Sequence, residues 1–106
     1  MGDERAEIIK ELKKFKSRIK NKYGVEKMIF FGSRASGKPS KWSDVDLILI
    51  SKNFKGKSFL KRSLGLHFYW NLEYPVDFIC YDPEEFETLR NKITIVSQAL
   101  REGVEI

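Results

Sequence analysis

The segment Asp44-Val45-Asp46-Leu47-Ile48-Leu49-Ile50 constrains this chain more than any other. Its apolar and β-branched residues predict a strand of a sheet. Two carboxylates at the start of so apolar a strand need either water or a task. Side chains alternate along a strand, so Asp44 and Asp46 share a face with Cα atoms about 6.6–6.8 Å apart. That spacing suits shared ligation of hard cations such as Mg²⁺, which in two-metal sites stand about 3.5–4 Å apart. An Asp-x-Asp pair also occurs in ordinary surface turns, so the pair alone leaves both readings open.

The flanking pattern predicts the element order α, β, β, α, β, α. Ile8, Leu12, Phe15 and Ile19 recur at three- and four-residue steps and predict an amphipathic helix over Glu4–Lys22, ended by Gly24. Met28-Ile29-Phe30-Phe31 reads as a buried strand running into Gly32-Ser33, with a loop from Ser36 to Ser43. After the Asp44–Ile50 strand, Gly56 marks a break. Leu60, Leu64, Phe68 and Leu72 then predict a helix over Phe59–Leu72, interrupted in pattern by Gly65. Pro75–Tyr81 reads as a third strand. Asp82-Pro83-Glu84-Glu85 supplies a cap, an N1 proline and dipole-compatible acids for a last helix reaching about Arg101. Gly103 suits its C-terminal cap, and Val104–Ile106 a short edge strand. The expected class is α/β in the α+β sense: a small mixed sheet covered by helices.

At 106 residues with 42% hydrophobic content, the expectation is one compact domain over residues 1–106. So small a domain buries about 60–70% of its unfolded surface, and a site needing two walls has to borrow one from a partner. Cys80 is the only cysteine, the N-terminal residues lack a signal-peptide pattern, and the longest apolar runs are too short to span a bilayer. A cytoplasmic protein without a membrane segment is expected. The net charge of +5 is uneven: residues 34–62 hold eight bases and two acids, whereas 71–106 hold three bases and eight acids. Lys52, Lys55, Lys57, Lys61 and Arg62 fit either a polyanionic partner such as RNA or a solvated lysine-rich face.

The acids gain meaning from their surroundings. Gly32 and Ser33 stand at the carboxyl end of a strand, where glycine lets backbone approach a ligand and a hydroxyl can hold phosphate oxygens. Arg34 adds a positive fork. Asp77 is a third carboxylate in an otherwise apolar strand, which pairing could bring beside the first two.

Gly32-Ser33-Arg34-Ala35-Ser36-Gly37, then Ser43-Asp44-Val45-Asp46-Leu47 after a ten-residue interval from Ser33 to Asp44, then Pro75-Val76-Asp77-Phe78, resemble the minimal nucleotidyltransferase (MNT) group of the polymerase-β-like nucleotidyltransferase superfamily. The resemblance covers Met28 to Ile106 and implies a polymerase-β palm-like fold. It implies transfer of a nucleoside monophosphate, AMP from ATP or its counterpart from another NTP, to an acceptor hydroxyl. By the same resemblance, Gly32 and Ser33 hold phosphates, Arg34 helps neutralise them, and Asp44, Asp46 and Asp77 ligate two Mg²⁺ ions, with Asp77 a candidate base. A HEPN-domain partner in a toxin–antitoxin pair, with this chain as antitoxin, is also implied.

Other readings compete. A noncatalytic nucleotide-binding subunit keeps the same residues without turnover. An RNA-binding module would use the Lys52–Arg62 patch. Gly32–Lys38 matches the start of a P-loop, but Pro39 stands where a Ser or Thr should bind Mg²⁺. His67 and Cys80 lack the partners that catalysis needs and read as structural. Trp42 lies in the polar loop before Asp44 and is expected to border the site, while Phe59, Leu60 and Tyr69 fit either core or an interface, including one between copies of the chain.

Overall fold

The computed structural model describes residues 3–38, 43–92 and 94–106. The first helix, α1 (Asp3–Tyr23), carries the expected stripe, and Ile8, Leu12, Phe15 and Ile19 are all buried. Each such burial contributes about 1.5–3 kcal/mol. The sheet consists of β1 (Val25–Phe31), β2 (Val45–Ser51), β3 (Val76–Tyr81) and the two-residue β4 (Val104–Glu105), in the order β3-β2-β1-β4. β1 runs antiparallel to β2 and β4, and β2 runs parallel to β3, so the sheet is mixed, as expected.

Alternation along the strands divides the core into two layers. Met28, Phe30, Val45, Leu47, Leu49, Phe78 and Cys80 pack with the α1 stripe. On the opposite face Ile29, Phe31, Ile48 and Ile50 pack under Phe86, Val96 and Ala99. Those last three come from α4 (Pro83–Arg90) and α5 (Ile95–Glu102). Asp46 belongs by alternation to the second face, at the end where the helical cover stops.

Three expectations are corrected. The last helix is not continuous to Arg101: it stops at Arg90, and α5 restarts at Ile95. The break has a local cause, because Thr94 Oγ1 accepts from the Ser97 amide and Ser97 Oγ accepts from the Thr94 amide, a reciprocal cap. The helix expected over Phe59–Leu72 is a shorter α3 (Phe59–Leu64) followed by a 3-10 segment, Gly65–Tyr69. Gly65 gives room there for the Tyr23 hydroxyl, against which a Cβ at this position would press. Its stripe is not core either, because Leu60, Leu64 and Phe68 are exposed. The third correction is a four-residue α2 (Ser33–Ser36), closed by Gly37 in the left-handed conformation, within what reads as the run into a loop.

α3 covers the outer edge of β3. Arg62 is buried and donates to the carbonyls of Lys57 and Cys80 and, through both terminal nitrogens, to the Glu85 carboxylate. Glu85 in turn completes a reciprocal cap with Asp82 at the start of α4. Arg62 is therefore a fold-holding group and not part of an exposed basic patch, whereas Lys52, Lys55, Lys57 and Lys61 are exposed. Among the described residues no helix is long and apolar enough to cross a membrane.

Candidate active site

The site forms where three strands end together. In the antiparallel β1–β2 pair Phe31 lies opposite Asp46, and in the parallel β2–β3 pair Asp46 lies opposite Asp77. Partners in register point to the same face, so two carboxylates from different strands stand side by side. Asp44 precedes β2 and is exposed, as is Asp77, while Asp46 is half-buried between them.

The electrostatics follow from this proximity. Burial first, then the Asp77 charge, then the Asp44 charge push the Asp46 carboxyl up to about 6 from an ordinary 3.8. Like charges gathered at a strand end raise the free energy of the ionised protein and are relieved by a cation.

Gly32 closes the floor. Its φ of 84° and ψ of −167° lie in a region open essentially to glycine alone. A Cβ there would collide with Asp46 Oδ2, so the carboxylate rests directly on the glycine backbone. The turn and the acid are thus one unit: the missing side chain makes room for Asp46 and leaves the backbone open to a close ligand. Beside it, a cavity of about 200 Å³ is lined by Phe31, Gly32, Ile95, Gln98, Ala99 and Glu102.

Ser43 ties the two motif segments together. Ser33 Oγ and Ser43 Oγ are 2.9 Å apart, and the Ser43 carbonyl accepts from Arg34 Nε at 2.7 Å. Arg34 is buried, paired with Glu4 of α1, and its guanidinium lies 4.4 Å from the centre of the Tyr74 ring. With its donors turned to α1 and to the strand entry, Arg34 holds the turn in place rather than standing free for phosphate. Sequence reasoning assigned no role to Ser43, Glu4 or Tyr74. The Ser43-Asp44 junction was a usable signal, but nothing local marks a Glu4–Arg34 pair thirty positions apart.

The other candidates resolve differently. Trp42 and Pro39 lie outside the described residues. Among the described residues after Gly32, the chain forms the four-residue α2, closed by Gly37, where a P-loop would lead into a long helix. His67 is exposed, with its ring 4.9 Å from that of Phe78. Cys80 is buried, and burial pushes its thiol up to about 12. It is an inert core residue.

The donor set of Asp44, Asp46 and Asp77 is all carboxylate oxygen, the chemistry that Mg²⁺ prefers. The Gly32 cradle and the crowded charge of Asp46 fit a bound cation with a phosphate beside it. Among the described residues no group of three or more His, Cys, Asp or Glu side chains is placed to hold a metal ion, so the three acids share a strand end without forming a preassembled metal site.

Comparison with curated proteins finds no match. Among solved structures, a Sulfolobus solfataricus protein provisionally named a nucleotidyltransferase superposes with a TM-score of 0.69 at 20% identity, over 97% of this chain and 82% of that one. At that identity the likeness shows the fold, a mixed-sheet nucleotidyltransferase architecture. Residues 12–101 match the family described as nucleotidyltransferase domain, a span that contains the Gly32-Ser33 turn and all three acids. The chain belongs to the nucleotidyltransferase domain family.

Proposed function

We propose that the protein is a Mg²⁺-dependent nucleotidyltransferase that moves AMP from ATP to a hydroxyl on a partner protein. The observation that carries this reading is the register of Asp46 against Asp77, with Asp46 seated on Gly32. Asp44, Asp46 and Asp77 would hold two Mg²⁺ ions. When bound, these supply charge neutralisation at the attacking oxygen and at the departing pyrophosphate.

This chain's own groups do the rest. Gly32 offers backbone at close approach, and the Ser33 hydroxyl donates to the β- and γ-phosphate oxygens. The acceptor oxygen attacks the α-phosphorus, its bond to the pyrophosphate oxygen breaks, and the hydroxyl proton passes to exposed Asp77. Asp77 suits that task better than Asp46, which sits deeper beneath the charge cluster. Ser43 and Arg34 act as positioning residues, holding the turn against the start of β2.

The acceptor we infer is carried by a helical protein of the HEPN class, the partner that the MNT resemblance implies, with this chain as the antitoxin. Support for a separate acceptor-bearing chain is physical: the acids open to solvent on one side.

Incubation with Mg²⁺ and, separately, α- and γ-labelled ATP, in the presence of the HEPN partner, tests the reading. Stable α-label on the partner, absent from Asp44→Asn, is the expected result. Binding of Mg²⁺-ATP without α-label transfer would replace it with a noncatalytic nucleotide-binding subunit.

A further inference from the structure

The outer face of α3 and of the 3-10 segment after it is apolar and unpartnered. Phe59 is 55% exposed, Leu60 79%, Leu64 66% and Phe68 93%. Four large apolar side chains exposed within ten residues are a local concentration, unlike the scattered exposure that every surface shows. Beside Phe68 lies a groove of about 460 Å³, lined also by Lys22, Tyr23, Gly65 and Tyr69. Gly65 keeps the groove open where a side chain would meet Tyr23.

Charge tells what fits this face. From Leu47 to Leu72 the chain contains no acid; Lys57 and Lys61 in or next to α3 are exposed, and Lys22 stands at the groove. Lys55 is paired with Glu84, which leaves Lys57 and Lys61, with Lys22 at the groove, as the positive charges for a partner. A partner with acids flanking an apolar ridge meets both features at once. The partner's form follows from the edge beneath: Arg62 of α3 already occupies the Cys80 carbonyl of edge strand β3, which favours a helix over an added strand.

We propose that the α3 face, with the groove at Phe68, is the docking site for an acid-flanked amphipathic helix of another protein. The face runs along β3 from Phe59, 5.6 Å from the Tyr81 ring, to His67, 4.9 Å from the Phe78 ring. The groove end, at Lys22 and Tyr23, lies at the Ser51 end of β2, whereas Asp46 and Asp77 lie at the opposite ends of β2 and β3. The docking face is therefore separate from the acids and does not rest on the transfer reaction.

Two 18-residue helical peptides with the same leucine ridge, one flanked by Glu and one by Lys, provide the probes, without nucleotide or Mg²⁺. The Glu-flanked peptide should bind at least tenfold more tightly. Leu64→Asp and Phe68→Asp, both at exposed positions, should each weaken that binding at least tenfold with no change in melting temperature. Lys57→Glu combined with Lys61→Glu should weaken it as well. Equal binding of the two peptides, or binding of neither, overturns the proposal. Preferential binding to phosphatidylserine vesicles would assign the face to a membrane surface. Self-association abolished by Leu64→Asp would assign it to a second copy. Because no ATP is present, failure here is distinct from failure of nucleotidyl transfer.

Discussion

Asp46 is the residue on which most depends. Its carboxyl titrates near 6 instead of 3.8, because burial and two neighbouring carboxylates oppose ionisation. The folded state therefore holds this proton more tightly than the unfolded chain does. Its contribution to stability is full below about pH 4 and is lost as pH rises through 6. Asp46→Asn removes the crowded charge and should raise stability at pH 8 by on the order of 1 kcal/mol, after discounting for solvent screening of a half-exposed group. Thermal melts at pH 4 and pH 8 check this, with the gain confined to the higher pH. Under the proposed function Mg²⁺ takes the ionised form, and its affinity measured by calorimetry should then fall nearly tenfold for each pH unit well below 6. Arg34 makes the opposite kind of prediction. Arg34→Ala strips a buried side chain from Glu4, Ser43 and Tyr74, and should cost about 2–4 kcal/mol in denaturant melts even without ligand.

Elements were legible where the signal was local. The α1 stripe, the three main strands, and the Asp82 cap followed by Pro83 are written in residue spacing and capping chemistry. Thr94 and Ser97 also carry a local signal, but the apolar periodicity running across Asn91–Thr94 favours one long helix, and the cap overrides it. Thr94→Ala should cost about 1 kcal/mol by loss of that cap. Hydrogen exchange should locate the weakening in α5, with α4 keeping its protection. The stripe of Leu60, Leu64 and Phe68 shows a different limit. Periodicity says that residues share a face; it does not say what covers that face. In a chain of this size the core was already filled by α1 on one side and by α4 and α5 on the other.

Over the whole molecule, the site was legible as a set of residues but not as an arrangement. Spacing alone placed Asp44 and Asp46 together. Only the parallel pairing of β2 with β3 fixes Asp77 against Asp46, and only the antiparallel pairing of β1 with β2 brings Gly32 beneath it. Long-range register is not encoded in any short window, as the Glu4–Arg34 pair also shows. The meeting of three strand ends has a thermodynamic consequence. Neither pairing alone assembles the acids on the glycine, so a ligand of this site selects the native state and has little affinity for the unfolded chain. Saturating it at 100 times its dissociation constant should then stabilise the fold by about 2.7 kcal/mol. Melting temperature becomes a selective readout: among nucleoside triphosphates supplied with Mg²⁺, the cognate base should raise it most, and Asp46→Asn should erase the ranking. The strand-end junction thus lets heat report which nucleotide the protein prefers before any acceptor is in hand.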